Sequence, residues 1–156
     1  MDLEESIDVD APRSDVVAVL GDLASYAEWL DIVAMARPVA GTVDDPGGGP
    51  AWEVELRARI GPFARTKRLR MVRSVMVDNA DGSDITFTRC EEGSRQYSDW
   101  TLSVRVEDLA PGGSRAVLNL HYGGSLWTPG PLERVLADQI SVGRERLRAV
   151  VGTHRR

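Results

Sequence analysis

Residues 52–60 read Trp52-Glu53-Val54-Glu55-Leu56-Arg57-Ala58-Arg59-Ile60, apolar at every second position, and Gly61-Pro62 closes the run. Successive side chains of a strand point to opposite faces, so this stretch is a strand with one buried and one wet face. The pattern recurs downstream. Leu69, Met71, Val75 and Val77 share one parity, and Asn79-Ala80-Asp81-Gly82 turns the chain into Ile85 and Phe87. After Glu92-Gly93-Ser94, the residues Trp100, Leu102, Val104 and Val106 alternate with Asp99, Thr101, Ser103 and Arg105. Pro111-Gly112-Gly113 then leads into Ala116, Leu118, Leu120 and Tyr122. Strands at hairpin spacing predict an antiparallel sheet buried on one face.

Upstream, Leu3–Val9 reads as a strand that stops at Ala11-Pro12. Ser14 and Asp15 suit a helix start, and Val16, Val17, Leu20 and Leu23 follow helical spacing. A second short helix, about Leu23 to Leu30, carries Tyr26, Trp29 and Leu30 on one face, and a strand around Ala36–Val43 follows it. Asp44-Asp45-Pro46-Gly47-Gly48-Gly49-Pro50 is a hairpin loop and not a phosphate cradle, because neither a Gly-Lys-Ser/Thr nor a helix follows. The chain closes with a long helix opened by Pro131. Leu132, Val135, Leu136 and Ile140 start its apolar stripe, and Gly143, Leu147, Val150 and Val151 continue it. That helix must cover the buried sheet face, since no other element is long enough.

The 156 residues suit one domain spanning 1–156. Cys90 stands alone, which excludes an internal disulfide. The two histidines, His121 and His154, have no metal-ligand companions, so neither a metal nor a cofactor is expected. No apolar run approaches the roughly 18 residues of a membrane span. The acidic start Asp2-Leu3-Glu4-Glu5 is unlike a secretory signal, so a cytoplasmic location without membrane insertion is expected. Residues 1–50 hold eleven acids against Arg13 and Arg37. Residues 51–75 reverse the balance with seven basic residues against Glu53 and Glu55. Alternation puts Arg57, Arg59, Arg68 and Arg70 on the face away from the core. They read as a solvated face beside acidic strands, and nucleic acid is not an expected partner.

The order strand, two short helices, antiparallel strands, long helix resembles the START-like superfamily, also called SRPBCC or the helix-grip fold. The opening Val9-Asp10-Ala11-Pro12 and the segment Asp22-Leu23-Ala24-Ser25-Tyr26-Ala27-Glu28-Trp29 resemble the opening of that superfamily, and Ile60-Gly61-Pro62-Phe63, Leu120-His121-Tyr122 and the closing helix are similar to its polyketide cyclase/dehydrase family. The resemblance covers nearly the whole chain. It implies an α+β fold in which a curved antiparallel sheet of about seven strands wraps around the C-terminal helix. It also implies a hydrophobic or amphipathic small molecule bound between sheet and helix. The superfamily has no shared catalytic signature, so function has to come from the site.

Strand parity nominates that site. Trp52, Leu56, Met71, Phe87, Trp100 and Leu118, with Leu136 of the last helix, are the expected walls of a pocket of about 300–1,000 Å³. Parity also turns Arg73, Arg89, Ser98 and Tyr122 inward. For Arg73 and Arg89 two readings stay open. Either a bulge or an acid such as Glu91 accounts for the charge, or the guanidinium anchors a carboxylate, enolate or phenolate on an apolar ligand. Trp127 is a candidate lid in the loop before the last helix. Gly143 reads either as close helix–sheet approach or as room for ligand. His121 faces solvent by parity, and Cys90 has no paired histidine. The reading that follows is a carrier or sensor for a lipid, isoprenoid or polyketide-like molecule, with oligomeric state open. The alternative is a cyclase/dehydrase-type enzyme acting on a poly-β-ketone, with Arg89 and Tyr122 as its catalytic pair.

Overall fold

The computed structural model describes residues 2–60, 62–93, 96–123 and 129–155. Strand β1 (Asp2–Val9) leads into α1 (Arg13–Leu20) and a 3-10 helix at Leu23–Glu28. Strands β2 (Val33–Val39), β3 (Ala51–Ile60), β4 (Phe63–Asn79) and β5 (Gly82–Arg89) follow. Strands β6 (Trp100–Leu109) and β7 (Gly113–Tyr122) complete the sheet, and α2 (Pro129–Arg155) ends the chain. All seven strands form one sheet in the order β1-β7-β6-β5-β4-β3-β2, antiparallel throughout. This is the expected α+β arrangement, with the second short helix being 3-10. Asp22 caps it by accepting the Ala24 N–H at 3.0 Å. Strand β2 starts earlier than expected and ends before Gly41, with Pro38 inside it. Proline is tolerated there because β2 is an edge strand.

The alternating residues set the inner face. Val54, Leu69, Met71, Ile85, Phe87, Val104 and Leu118 are buried on it. Strand β4 departs from strict alternation. Arg73 lies opposite Phe87 and Val75 opposite Thr86, so Ser74 is an extra, bulged residue. Beyond it the parity inverts, and Val75 and Val77, expected on the buried face, are partly exposed. The bulge rests on the β2–β3 loop. A Cβ on Gly47 or Gly49 would lie 2.2 Å from the carbonyl oxygen of Ser74 or Arg73, so only glycine fits.

Two helices divide the inner face between them. The short α1, with Val16, Val17, Val19 and Leu20 buried, packs on the half formed by β5, β6 and β7. The long α2 runs over the rest, burying Leu136, Ile140, Leu147 and Val151. Polar ties fix its position. Gln139 Oε1 accepts the Ile32 N–H at 2.8 Å, Arg146 meets Asp31 at 2.6 Å, and Arg148 donates to the Asp8 carbonyl at 3.0 Å. Part of the acidic N-terminal third is thereby matched to basic residues of the final helix.

Candidate functional site

Where α1 stops short, a cavity of about 110 Å³ remains between the sheet and α2. Val54 and Leu56 of β3, Leu69 and Met71 of β4, and Trp100 and Leu102 of β6 line it. Leu118 and Leu120 of β7 and Leu3 of β1 extend that floor, and Leu136 and Ile140 of α2 cover it. Leu23, Tyr26 and Leu30 close one side. Tyr26 carries the one titratable side chain among the described lining residues, and its hydroxyl donates to the Leu20 carbonyl at 2.8 Å. Burial, reinforced by Asp22, pushes that phenol far above its ordinary pKa, so it stays protonated. The cavity therefore offers apolar contact and no proton-transfer group among the described residues.

The structure distributes the sequence-nominated residues between cavity, core and rim. Leu56, Met71, Trp100, Leu118 and Leu136 line the cavity. Trp52 and Phe87 instead form solid aromatic core, with ring centroids 5.6 Å apart and Tyr26 a further edge contact on Phe87 at 6.2 Å. Tyr122 is buried against Trp100 at 4.5 Å and does not line the cavity. These three rings fill inner-face volume that parity alone leaves open. The cavity is accordingly smaller than the 300–1,000 Å³ expected of it.

Gly143 faces Trp29 and not the cavity. A Cβ there would come within 2.5 Å of the Trp29 carbonyl oxygen, so glycine serves close helix approach. Arg73 points inward but reaches α1, where Nη1 donates to the Gly21 carbonyl at 2.9 Å. A guanidinium suits that helix C-terminus. Arg89 and Ser98 lie in a separate polar recess. Arg89 Nε donates to Glu91 at 3.0 Å, and Nη1 donates to the carbonyl and hydroxyl oxygens of Ser98, both at 3.1 Å. Neither Arg89 nor Tyr122 faces the cavity, so the expected acid–base pair is not assembled around it. Trp127 lies outside the described residues.

Parity had the power to find more. Val54, Leu69, Leu102 and Leu120 share their faces with nominated neighbours, and Ile140 lies one helical turn beyond Leu136. The contributions of Leu3, Leu23 and Leu30 come from packing between distant segments, which periodicity does not carry. His121 is exposed and bonded to Asp2 at 2.8 Å. Cys90 has its thiol pKa raised, chiefly by burial, which leaves it a poor nucleophile. Among the described residues no group of acidic, histidine or cysteine side chains is placed to hold a metal.

An antiparallel sheet gripping a long C-terminal helix, with an apolar hollow between them, defines a START-like domain. The chain belongs to the polyketide cyclase/dehydrase and lipid transport family, whose model matches residues 1–152. Among solved structures it is similar to a START superfamily protein from Mycobacterium smegmatis, with TM-score 0.65 and 14% identity over 97% of each chain. It is similar also to the Zhui aromatase/cyclase from Streptomyces, with TM-score 0.64 and 15% identity over 100% of this chain and 96% of that one. The lipid transfer and protein localization domain of human StarD13 gives TM-score 0.64 and 16% identity, over 94% of this chain and 74% of that one. At such identities the likeness is one of fold. No curated protein matches the sequence significantly. No helix among the described residues is long and apolar enough to cross a membrane.

Proposed function

We propose that this domain binds an apolar or amphipathic small molecule between its sheet and α2 and carries or senses it without altering it. The observation that supports this most is the lining, in which leucines, valines, isoleucines, one methionine, one tryptophan and a bonded Tyr26 surround the hollow. Such walls supply burial at about 25 cal/mol per Å² of apolar surface and no directed chemistry. The volume is near that of an engineered apolar cavity which accepts a benzene-sized guest. Met71, unbranched and with three rotatable bonds, can adapt its shape to a guest in the hollow. The family description, which joins lipid transport to cyclisation, is compatible with this choice.

The test is native mass spectrometry of the protein purified from its own host, with an octan-1-ol titration followed by intrinsic tryptophan fluorescence, to which Trp100 on the cavity wall contributes. A bound apolar molecule released unchanged, and saturable quenching or enhancement by octan-1-ol, is the expected result. Absence of both overturns the reading. Conversion of an added poly-β-ketone into a cyclised product would establish the enzymatic alternative in its place.

A further inference from the structure

Beside the apolar cavity, the same end of the inner face carries a polar recess of about 280 Å³ lined by Lys67, Arg89, Glu91, Gln96, Tyr97 and Ser98. Its place follows from register. Lys67 pairs with Leu56 and Arg89 with Met71, and both of those partners line the cavity. Cross-strand partners share a face, and residues two apart on one strand do so at about 7 Å. Lys67 is two residues from Leu69 on the same strand, and Leu69 is again in the cavity lining. The recess thus lies about one residue pair away from the hollow.

Its charges do not balance. Lys67 and Arg89 are two cations facing one carboxylate, Glu91. That carboxylate is already committed, because its Oε1 accepts both the Arg70 backbone N–H at 2.9 Å and Arg89 Nε at 3.0 Å. The half-buried Lys67 ammonium has no hydrogen bond or ion pair among the described residues, and Arg89 Nη2 likewise has no hydrogen bond among them. Ser98 and the Tyr97 ring, 5.0 Å from the guanidinium, hold Arg89 in place without neutralising Lys67. Burial, with the neighbouring guanidinium second, lowers the Lys67 pKa from the ordinary lysine value, and the attraction of Glu91 offsets the two only in part.

We infer that Lys67 and Arg89 form an anion subsite which takes the carboxylate or phosphate end of an amphipathic molecule whose apolar end occupies the neighbouring cavity. The inference rests on the cavity-binding reading and adds the chemistry of the other end. The acid end sits between the Lys67 ammonium and the open Nη2 of Arg89, while Glu91 and Ser98 keep the guanidinium oriented. A single chain or ring with one terminal acid satisfies both regions. A neutral analogue satisfies one.

The experiment compares octanoate, octan-1-ol and acetate by isothermal titration at neutral pH, using the wild-type chain, Lys67→Met, Lys67→Arg and Arg57→Met. Octanoate is expected to bind the wild type about ten- to a hundredfold more tightly than octan-1-ol, the factor that hydrogen bonds to charged groups supply. Lys67→Met should bring octanoate close to octan-1-ol without weakening the alcohol, and Lys67→Arg should keep most of the preference. Arg57→Met, on the outer face, should change neither ligand. Equal affinity for acid and alcohol in the wild type, or a preference that survives Lys67→Met, overturns the subsite and leaves the cavity reading standing. Acetate binding as tightly as octanoate overturns the amphipathic ligand, since the tail would then contribute nothing. Binding of neither eight-carbon probe overturns the subsite, and where no apolar molecule co-purifies either, the cavity reading falls with it.

Discussion

Arg70 lies on the outer face of β4, yet the β2–β3 loop folds over it and leaves its side chain 9% exposed. Its guanidinium meets Asp45 with two parallel hydrogen bonds of 2.7 and 2.8 Å and donates to the Ala40 and Cys90 carbonyls at 2.9 Å. Thr42 adds two further donors to the same carboxylate. The Arg70 hydrogen bonds outweigh burial and hold the Asp45 carboxyl well below the usual carboxylate range. A carboxyl whose folded pKa is depressed contributes stability that is complete above its unfolded value, about 4, and declines as pH falls toward the folded one. Asp45→Asn should therefore cost about 3–5 kcal/mol at pH 7, the loss typical of breaking a buried pair. In urea titrations its deficit should shrink progressively below about pH 4. A deficit unchanged with pH would mean that Asp45 acts by shape alone. Alternation put Arg70 with Arg57 and Arg68 on the outer face. Those two do form exposed pairs with Glu53 and Glu55, whereas the cover over Arg70 comes from a loop 25 residues away that periodicity does not encode.

Among the elements, α2 shows where glycine is required and where it is spare. At Gly143 a methyl group would press on the Trp29 carbonyl oxygen at 2.5 Å and on the indole Cε3 at 3.1 Å, while at Gly152 nothing lies within 4 Å. Gly143→Ala should destabilise by about 1–3 kcal/mol, the usual cost of overpacking. Gly152→Ala should stabilise by up to about 1 kcal/mol through helix propensity. Matching urea midpoints for the two variants would show that α2 does not seat on Trp29 as described. Both readings of Gly143 were available from the sequence, and the indole beneath it decides between them. The strands were legible because a period of two is local. A bulge was one of the readings open for Arg73, but its place at Ser74 was not legible, since Arg73-Ser74-Val75 carries no mark of an extra residue. The glycine backbones of a distant loop accommodate it, and the parity of Val75 and Val77 changed with it.

Across the whole molecule, one sheet face is covered by two helices of unequal length, eight residues against 27, and the hollow lies where the shorter one ends. An empty apolar cavity of about 110 Å³ costs about 2–3 kcal/mol at 24 cal/mol per Å³. A domain selected for stability alone has larger side chains to hand for that space. Leu118 sits on the cavity floor with 4% of its surface exposed, so Leu118→Phe directs one ring into existing space. The substitution should raise stability by about 0.5–1 kcal/mol, as cavity filling commonly does. For a chain of this length that corresponds to a midpoint shift of about 1–4 °C. The same ring should weaken octan-1-ol binding at least about tenfold, because the guest and the phenyl compete for one volume. Calorimetric melting and octan-1-ol titration of the same preparation give both numbers. A variant that melts lower and still binds the alcohol as the wild type does would place the guest elsewhere, and the hollow would then be a packing defect with no part in recognition.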